Sequence, residues 1–522
     1  MKYSRSGTDE RNFSWFRNDP SRASLHRIEL TQGRIRGLDP CRIDFEYPIS
    51  AFAGRNGSGK STILAIAACA YHSRAEAFKL PHRRTPYYTF SDFFVQSAEE
   101  VYPEGIEIRY SMFYNRWKKT AAMPDGVGVG WQRRWKGNGG KWNDYASRLN
   151  RTVIHFGIDR VVPHYERSAY ISSRGKFTLA KPAGWEDQVR EIASRILGRN
   201  YTSIEYKSYL KYRLPIVGVG DYVYSGFNMG AGENAVFELL TAIFSCGEGM
   251  LITVDEIELG LHEEAQTRFI NELKELCSQR KIQIICTTHS SVVMKCLPPE
   301  ARFYVESLTH STIVTKAISH RYAAGKMAGE NSAEIDLFVE DDIARTLVGL
   351  SLTNAVRSRS NVLPIGSDSA IVRQMAARFK NLKEGEFYAI LDGDKEALHS
   401  TLRTNFLKLL ETVTDKKAAE SWFDERVSYL PGGTTPEKWL VEVGFDKAGD
   451  KIAEALSVDE ATMEQIASIG KNAAAHREFY EIGRLLNVDS SAVVQVFTAA
   501  VKQEIRTTLE PIEVRVRQLI DN

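Results

Sequence analysis

Ile49-Ser-Ala-Phe-Ala-Gly54-Arg55-Asn56-Gly57-Ser58-Gly59-Lys60-Ser61-Thr62 is the stretch that decides the fold. An apolar run, Ile49–Ala53, enters a loop whose residues Gly54–Ser61 fit G-x-x-x-x-G-K-[ST] without a mismatch, and a helical stretch through Ile63–Tyr71 follows. Strand, glycine-rich loop and helix in that order make a phosphate cradle. The glycines let backbone N–H groups turn inward around phosphate oxygens, Lys60 reaches the β and γ phosphates, and the Ser61 hydroxyl ligates Mg²⁺. The reading implies ATP and Mg²⁺ as cofactors, with Gly54, Arg55, Asn56, Gly57, Ser58, Gly59, Lys60, Ser61 and Thr62 around the nucleotide.

Further along the chain, Met250–Val254 is an apolar run ending in Asp255 and Glu256. A strand that delivers two carboxylates beside a phosphate loop assigns Asp255 to the magnesium shell and Glu256 to polarising the attacking water. Ile282–Thr288 is a second such run and delivers His289 at its end, where it can contact the γ phosphate. Both runs are continuously apolar, as strands buried on two faces require. Met229-Gly230-Ala-Gly232-Glu233 precedes a helical stretch, Asn234–Phe244, about twenty residues before Asp255. It resembles the signature sequence of ABC ATPases, with Gly230 where Ser is usual. The order of phosphate loop, signature, acidic strand and histidine is similar to that of ABC ATPases. Glu258-x-Gly260-Leu-His262 resembles the Asp-loop region of those related to SMC (structural maintenance of chromosomes) proteins. In that class the signature, here Gly230, Gly232 and Glu233, binds the γ phosphate of the opposite subunit, which implies a homodimer or a higher even oligomer. Gln96 is the candidate for the lid glutamine.

A second α/β alternation starts after about residue 325. Strands are expected at Ile335–Val339, Val362–Ile365, Phe387–Leu391 and Val427–Leu430, with helices at Ile343–Leu352 and Ala370–Phe379. Glu340 follows the first strand, and Asp392 and Asp394 follow the third. Three acids at the carboxyl ends of parallel strands suit a Mg²⁺ site, since hard cations take oxygen ligands and neutralise close like charges. The arrangement resembles the Toprim fold of topoisomerases, primases and OLD-family nucleases. Many Toprim first motifs read E-G-x-x-[DE]. Here the stretch is Glu340-Asp341-Asp342-Ile343-Ala344, so the fifth-position acid is missing and Asp341 or Asp342 is its substitute. The segment Tyr429–Leu440 is similar to the OLD-family stretch that carries a further acid, which makes Glu437 a metal candidate and Lys438 a candidate for stabilising phosphate charge. His476 and Arg477 read as a solvated helix face, with a role as catalytic helpers as the alternative.

An ABC ATPase followed by a Toprim unit resembles the OLD family (overcoming lysogenisation defect), which includes the Gabija nuclease and retron-associated effectors. The resemblance implies an α/β protein with three parts: an SMC-like P-loop ATPase domain over 1–325, a Toprim-like nuclease domain over 326–445 and a helical region over 446–522. It implies an ATP-regulated, Mg²⁺-dependent endonuclease, with Mn²⁺ as an alternative ion, acting on nucleic acid, DNA favoured over RNA, in anti-phage defence. A partner protein or a reverse-transcriptase and RNA complex of a defence operon goes with that role. The competing reading is an ABC ATPase clamp, sensor or scaffold with a degenerate Toprim site.

Composition agrees with a globular protein: 522 residues, 43% hydrophobic and 26% charged, with 68 basic against 66 acidic residues. No apolar run suits a membrane span and the first residues lack a signal-peptide core, so a cytoplasmic place is expected. Six cysteines, none in a C-x-x-C pair, argue against a zinc knuckle or a disulfide framework. Arg116-Trp-Lys-Lys119 and Arg133–Trp142 interleave basic and aromatic residues. That pattern serves phosphate contact with base stacking, or an exposed hairpin with cation–π pairs.

Overall fold

A computed structural model describes residues 3–521 except 82, 98, 101–103, 138–140, 145–146, 329–332, 381–385 and 411–414. Part of the second basic-aromatic stretch, residues 138–140, therefore lies outside the described residues. The chain divides into two compact units, Met1–Glu330 and Asn331–Asn522.

The first unit is built on a six-stranded sheet. Its strands in chain order are β1 (Ile49–Gly54), β2 (Val153–Phe156), β3 (Leu251–Val254), β4 (Gln283–Thr287), β5 (Arg302–Leu308) and β6 (Ser311–Lys316). In space they run β6-β5-β1-β4-β3-β2, parallel except for the antiparallel edge strand β6. Every residue of β1, β3 and β4 is buried, because helices cover both faces. Helix α1 (Lys60–Ala68) leaves the phosphate loop directly. Helix α2 (Ala231–Ser245) precedes β3, and α3 (Glu263–Arg280) joins β3 to β4. Two antiparallel sheets complete the unit, one from strands Ser24–Gln32, Cys41–Asp44, Ile106–Tyr114 and Gly128–Lys136, the other from Thr178–Leu179, Ser203–Tyr209, Tyr212–Val219 and Tyr222–Ser225.

The polar start of the chain reads as a frayed end. It is instead the helix Gly7–Asn18, opened by a Ser6/Asp9 capping box. Asp9 is fully buried, takes hydrogen bonds from Tyr3 and Tyr47 and lies 3.0 Å from Lys274 Nζ. Phe13, Trp15 and Phe16 supply the apolar anchor.

The second unit has a four-stranded, wholly parallel sheet: β7 (Ile335–Val339), β8 (Ser360–Pro364), β9 (Glu386–Leu391) and β10 (Val427–Tyr429), in the order β8-β7-β9-β10. Its period-two alternation sends side chains to two cores. Leu337, Val339 and Ile390 pack with Leu440, Ile452, Ile466, Phe497 and Val516. Phe338, Ala389 and Leu391 pack with Met375, Phe406 and Phe423 on the other face. The helices beyond 445 thus cover one face of this sheet and share its core. Helix α4 (Asp342–Ser351) follows β7, and α5 (Pro436–Leu456) follows β10. Ser457, which reads as a helix start, is the left-handed end of α5; Asp459 caps the next helix through Thr462 N–H. No described helix is long and apolar enough to cross a membrane.

Candidate nucleotide site and carboxylate cluster

At the end of β1 the chain has no room for a side chain at Gly54, where a Cβ would meet Val305 O at 2.4 Å, with φ at +155°. The loop then turns over Gly57 and Gly59, both at positive φ, into α1. Arg55, Asn56, Gly57 and Ser61 are exposed on this loop, whereas Ser58, Lys60 and Thr62 are buried. Lys60 Nζ donates to Gly54 O at 2.8 Å and Arg55 O at 3.0 Å. Burial pushes its pKa down, against the raising effect of Glu256, Asp255 and Glu258.

Two strands along the sheet, β3 presents Asp255 to the same loop. Ser61 Oγ donates to Asp255 Oδ2 at 3.0 Å, and Thr287 Oγ1 at the end of β4 donates to Oδ1 at 2.5 Å. Thr287 Oγ1 in turn accepts from Glu256 N–H at 2.7 Å. Glu256 has φ at +50°, a conformation that non-glycine residues adopt under constraint. The constraint is Arg160. Buried at 4% exposure, it donates to Gly157 O, Asp255 O and Glu256 O. Glu256 Oε1 lies 3.2 Å from His289 Nε2. Burial, followed by the charges of Glu258 and Asp255, pushes the Glu256 pKa up to about 7. Burial first and Lys60 second lower that of His289. A carboxyl whose pKa is held near neutrality suits a group that polarises water. Glu258 is tied back by Thr288 Oγ1 at 2.7 Å and His289 N–H at 2.6 Å. Ser61 and Asp255, already in contact, are the oxygen pair that would share a magnesium ion.

Gly230 is the N-cap of α2, with nothing within 4 Å of an added Cβ. Gly232 is the opposite case: its Cβ would lie 2.0 Å from Gly260 O, and Gly260 itself is at φ +82°. The signature and the segment after Glu258 therefore touch backbone to backbone. Glu233 does not face outward with Gly230. Its Oε1 accepts from Tyr201 at 2.5 Å and Tyr224 at 2.6 Å, with Arg199 at 3.7 Å.

In the second unit the strand ends converge. Glu340 follows β7, and its Oε1 accepts from Asp392 N–H, which follows β9, at 2.9 Å. Gly393 admits no side chain, since a Cβ would meet Leu430 O at 2.7 Å and Thr434 O at 2.9 Å, so the Asp392–Asp394 turn lies directly on the segment after β10. Burial, then Glu340, Asp341, Glu437 and Asp394 in that order, raises the Asp392 pKa to about 8. Burial also raises Glu340 and Glu437. Among the described residues, Asp392 Oδ1, Asp394 Oδ1 and Glu437 Oε2 are buried with no hydrogen-bond partner. Buried carboxylate oxygens without donors are costly unless a cation neutralises them. Their chemistry, all hard oxygen, fits a divalent ion such as Mg²⁺.

Of the two substitutes for the missing acid, Asp341 faces this cluster while capping α4 through Ala344 N–H. Asp342 is exposed and pairs with Arg345. The sequence also undervalues His476. Its Nδ1 lies 3.0 Å from Glu437 Oε1, whereas neighbouring Arg477 pairs with Glu481 on the helix surface. Arg160 and Glu258 at the first site, too, act only through contacts distant in sequence. Lys395, beside Asp394, donates to its Oδ2 at 2.6 Å.

A family profile described as "AAA domain, putative AbiEii toxin, Type IV TA system" matches residues 221–295, the span from before the signature to past His289. Comparison with curated proteins finds no match. Among solved structures, the SMC head domain of Thermotoga maritima is 14% identical, with 56% of this chain and 98% of that one covered and a TM-score of 0.32. A Pyrococcus furiosus Smc head with an extended coiled coil, bound to the C-terminal domain of ScpA, is 14% identical over 58% of this chain and 98% of that one, at a TM-score of 0.37. Likeness at this level says nothing of function. The phosphate loop, the acidic strand two places along the sheet and the matched segment are similar to those of a P-loop ATPase domain.

Proposed function

We propose that this chain is an ATP-hydrolysing, divalent-cation-dependent endonuclease of the OLD type, acting on nucleic acid in anti-phage defence. In the first unit, Lys60 and the loop N–H groups bind the phosphates, Glu256 orients and deprotonates water, and His289 faces the γ phosphate. Gly230 at the exposed N-terminus of α2 completes the site of a second subunit, which makes the working form a dimer or an even multiple of it. In the second unit, Glu340, Asp392 and Asp394 would hold Mg²⁺ or Mn²⁺, and Glu437 would complete a second metal position. When bound, the ion would lower the pKa of a water and neutralise charge on the scissile phosphate. The chain itself buries Asp392 and Glu437, holds Asp392 through the Gly393 turn and presents Lys395 beside Asp394.

One observation carries this reading: two buried carboxylate oxygens just after β9 and a third in the first turn of α5, which follows β10, lack a hydrogen-bond partner among the described residues. The test is to incubate the purified protein with plasmid, linear DNA and structured RNA, with Mg²⁺ or Mn²⁺, with and without ATP. Metal-dependent cutting that vanishes in Asp392→Ala is expected. Cutting that survives in both Asp392→Ala and Glu340→Ala places the nuclease elsewhere. A second reading, an ATPase scaffold with a degenerate site, draws on Ala344 and on the Lys395–Asp394 ion pair. It gains if wild-type protein hydrolyses ATP but never cuts.

A further inference from the structure

We propose that Asp341, Glu437 and His476 form a mixed oxygen and nitrogen metal position of their own, which holds Mn²⁺ or another transition-metal ion in preference to Mg²⁺. This rests on the reading of the second unit as a metal centre but not on nuclease activity. One ligand atom from each of the three residues lies within 4.8 Å of the other two. His476 Nδ1 and Glu437 Oε1 are 3.0 Å apart. That is the separation of neighbouring ligands on one ion, since two bonds of about 2.1 Å at a right angle span about 3 Å. Opposite ligands on such an ion lie about 4.2 Å apart, so closing on it takes shifts of a few tenths of an ångström per ligand.

Two further observations point to a ligand here. Glu437 is 4% exposed, and its Oε2 is buried without a hydrogen-bond partner among the described residues. Oε1 faces the imidazole, so Oε2 is a second, uncommitted donor oxygen. His476 sits at φ +66°, a left-handed conformation that histidine tolerates better than most side chains. That backbone lies in the connection before the helix Glu478–Leu486, and it turns the ring toward α5. Asp341 comes from the start of α4, Glu437 from the first turn of α5 and His476 from the helical end of the chain. Three elements distant in sequence thus meet at one point.

The imidazole decides the ion. Mg²⁺ takes oxygen almost exclusively, whereas Mn²⁺, Co²⁺ and Zn²⁺ accept imidazole nitrogen alongside carboxylate. Glu340, Asp392 and Asp394 offer oxygen alone. The two positions therefore differ in selectivity, and millimolar Mg²⁺ displaces Mn²⁺ from the all-oxygen position before it does so from this one.

Mn²⁺ is titrated into the full, nucleotide-free chain in the presence of excess Mg²⁺ and followed by electron paramagnetic resonance. At least one Mn²⁺ should stay bound, with ¹⁴N modulation in the pulsed spectrum from a directly ligated imidazole. His476→Ala should remove the modulation and weaken that Mn²⁺ by about tenfold or more, and Glu437→Gln should do the same independently. Asp392→Asn should leave the modulation in place. A wild-type spectrum without ¹⁴N coupling, or coupling unchanged in both His476→Ala and Glu437→Gln, overturns the proposal. Loss of cutting with the modulation intact would count against the nuclease reading alone.

Discussion

The two carboxylate clusters solve one electrostatic problem in opposite ways. In the first unit two acids have hydrogen-bond donors from their own chain, Asp255 from Ser61 and Thr287 and Glu258 from Thr288 and the His289 N–H, while Glu256 faces His289. In the second unit Asp392, Asp394 and Glu437 each keep one buried oxygen with no donor among the described residues. A site whose charges are already hydrogen-bonded is organised before its ligand arrives. A site with orphaned oxygens depends on a cation for its stability as well as its chemistry.

The largest expected effect breaks the comparison on the second side. Asp392→Ala should lower metal-dependent cleavage by about a thousandfold, the several kcal/mol that charge stabilisation by a metal is worth, while ATP turnover stays near that of the wild type. Parallel cleavage and ATPase assays on one preparation check this. If turnover collapses as well, the two clusters are not independent.

Next in size is Glu256→Gln, which removes the group that polarises water but leaves Ser61, Asp255 and Lys60 in place. Turnover should fall about a hundredfold or more with ATP binding retained, read by steady-state phosphate release and by equilibrium nucleotide binding. Wild-type turnover in this variant would remove Glu256 from the chemistry.

The orphaned oxygens also predict a pH response. The folded pKa of Asp392, about 8, lies above its ordinary value of 3.8. Folding therefore favours the protonated acid, and the group costs stability progressively as pH rises from about 4 toward 8. In metal-free protein the unfolding transition of the second unit should move to lower temperature between pH 5.5 and 8. Mg²⁺ should reverse the trend, and Asp392→Asn should flatten it. A transition that does not move in metal-free wild type would show that the cluster is solvated.

The smallest effect sharpens the first side. Gly232→Ala puts a Cβ against Gly260 O at 2.0 Å and should cost about 1–3 kcal/mol, as overpacking does. Gly230→Ser enters open space and should stay within about 0.5 kcal/mol in denaturant melts. Equal effects would mean that the contact between signature and Gly260 is not tight.

The nucleotide loop was legible because its chemistry is local. Eight consecutive residues carry the turn, the charge and the hydroxyl, and the strand and helix around them follow from apolar runs. Glu340 and Asp392 could be read for a similar reason, each being the first polar group after an apolar strand, with Asp394 two residues beyond Asp392. Asp341 and His476 were harder. Asp341 competes with Asp342 for one role, and only the turn of α4 sends one to the cluster and the other to Arg345. His476 lies 39 residues beyond Glu437 in a polar stretch with no motif, so only packing of the last helices on the sheet brings them together.

By itself the sequence determined two parallel α/β sheets, the phosphate loop and the acids at the strand ends, because periodicity and glycine chemistry act over a few residues. Only the tertiary structure decided that Arg160 holds the carbonyls of Asp255 and Glu256, that Glu233 turns to Tyr201 and Tyr224, and that the helical end carries His476 to Glu437. The physical reason is range. A hydrogen bond or a ligand separation of about 3 Å depends on where whole elements pack, and burial of apolar surface sets that packing without regard to distance along the chain.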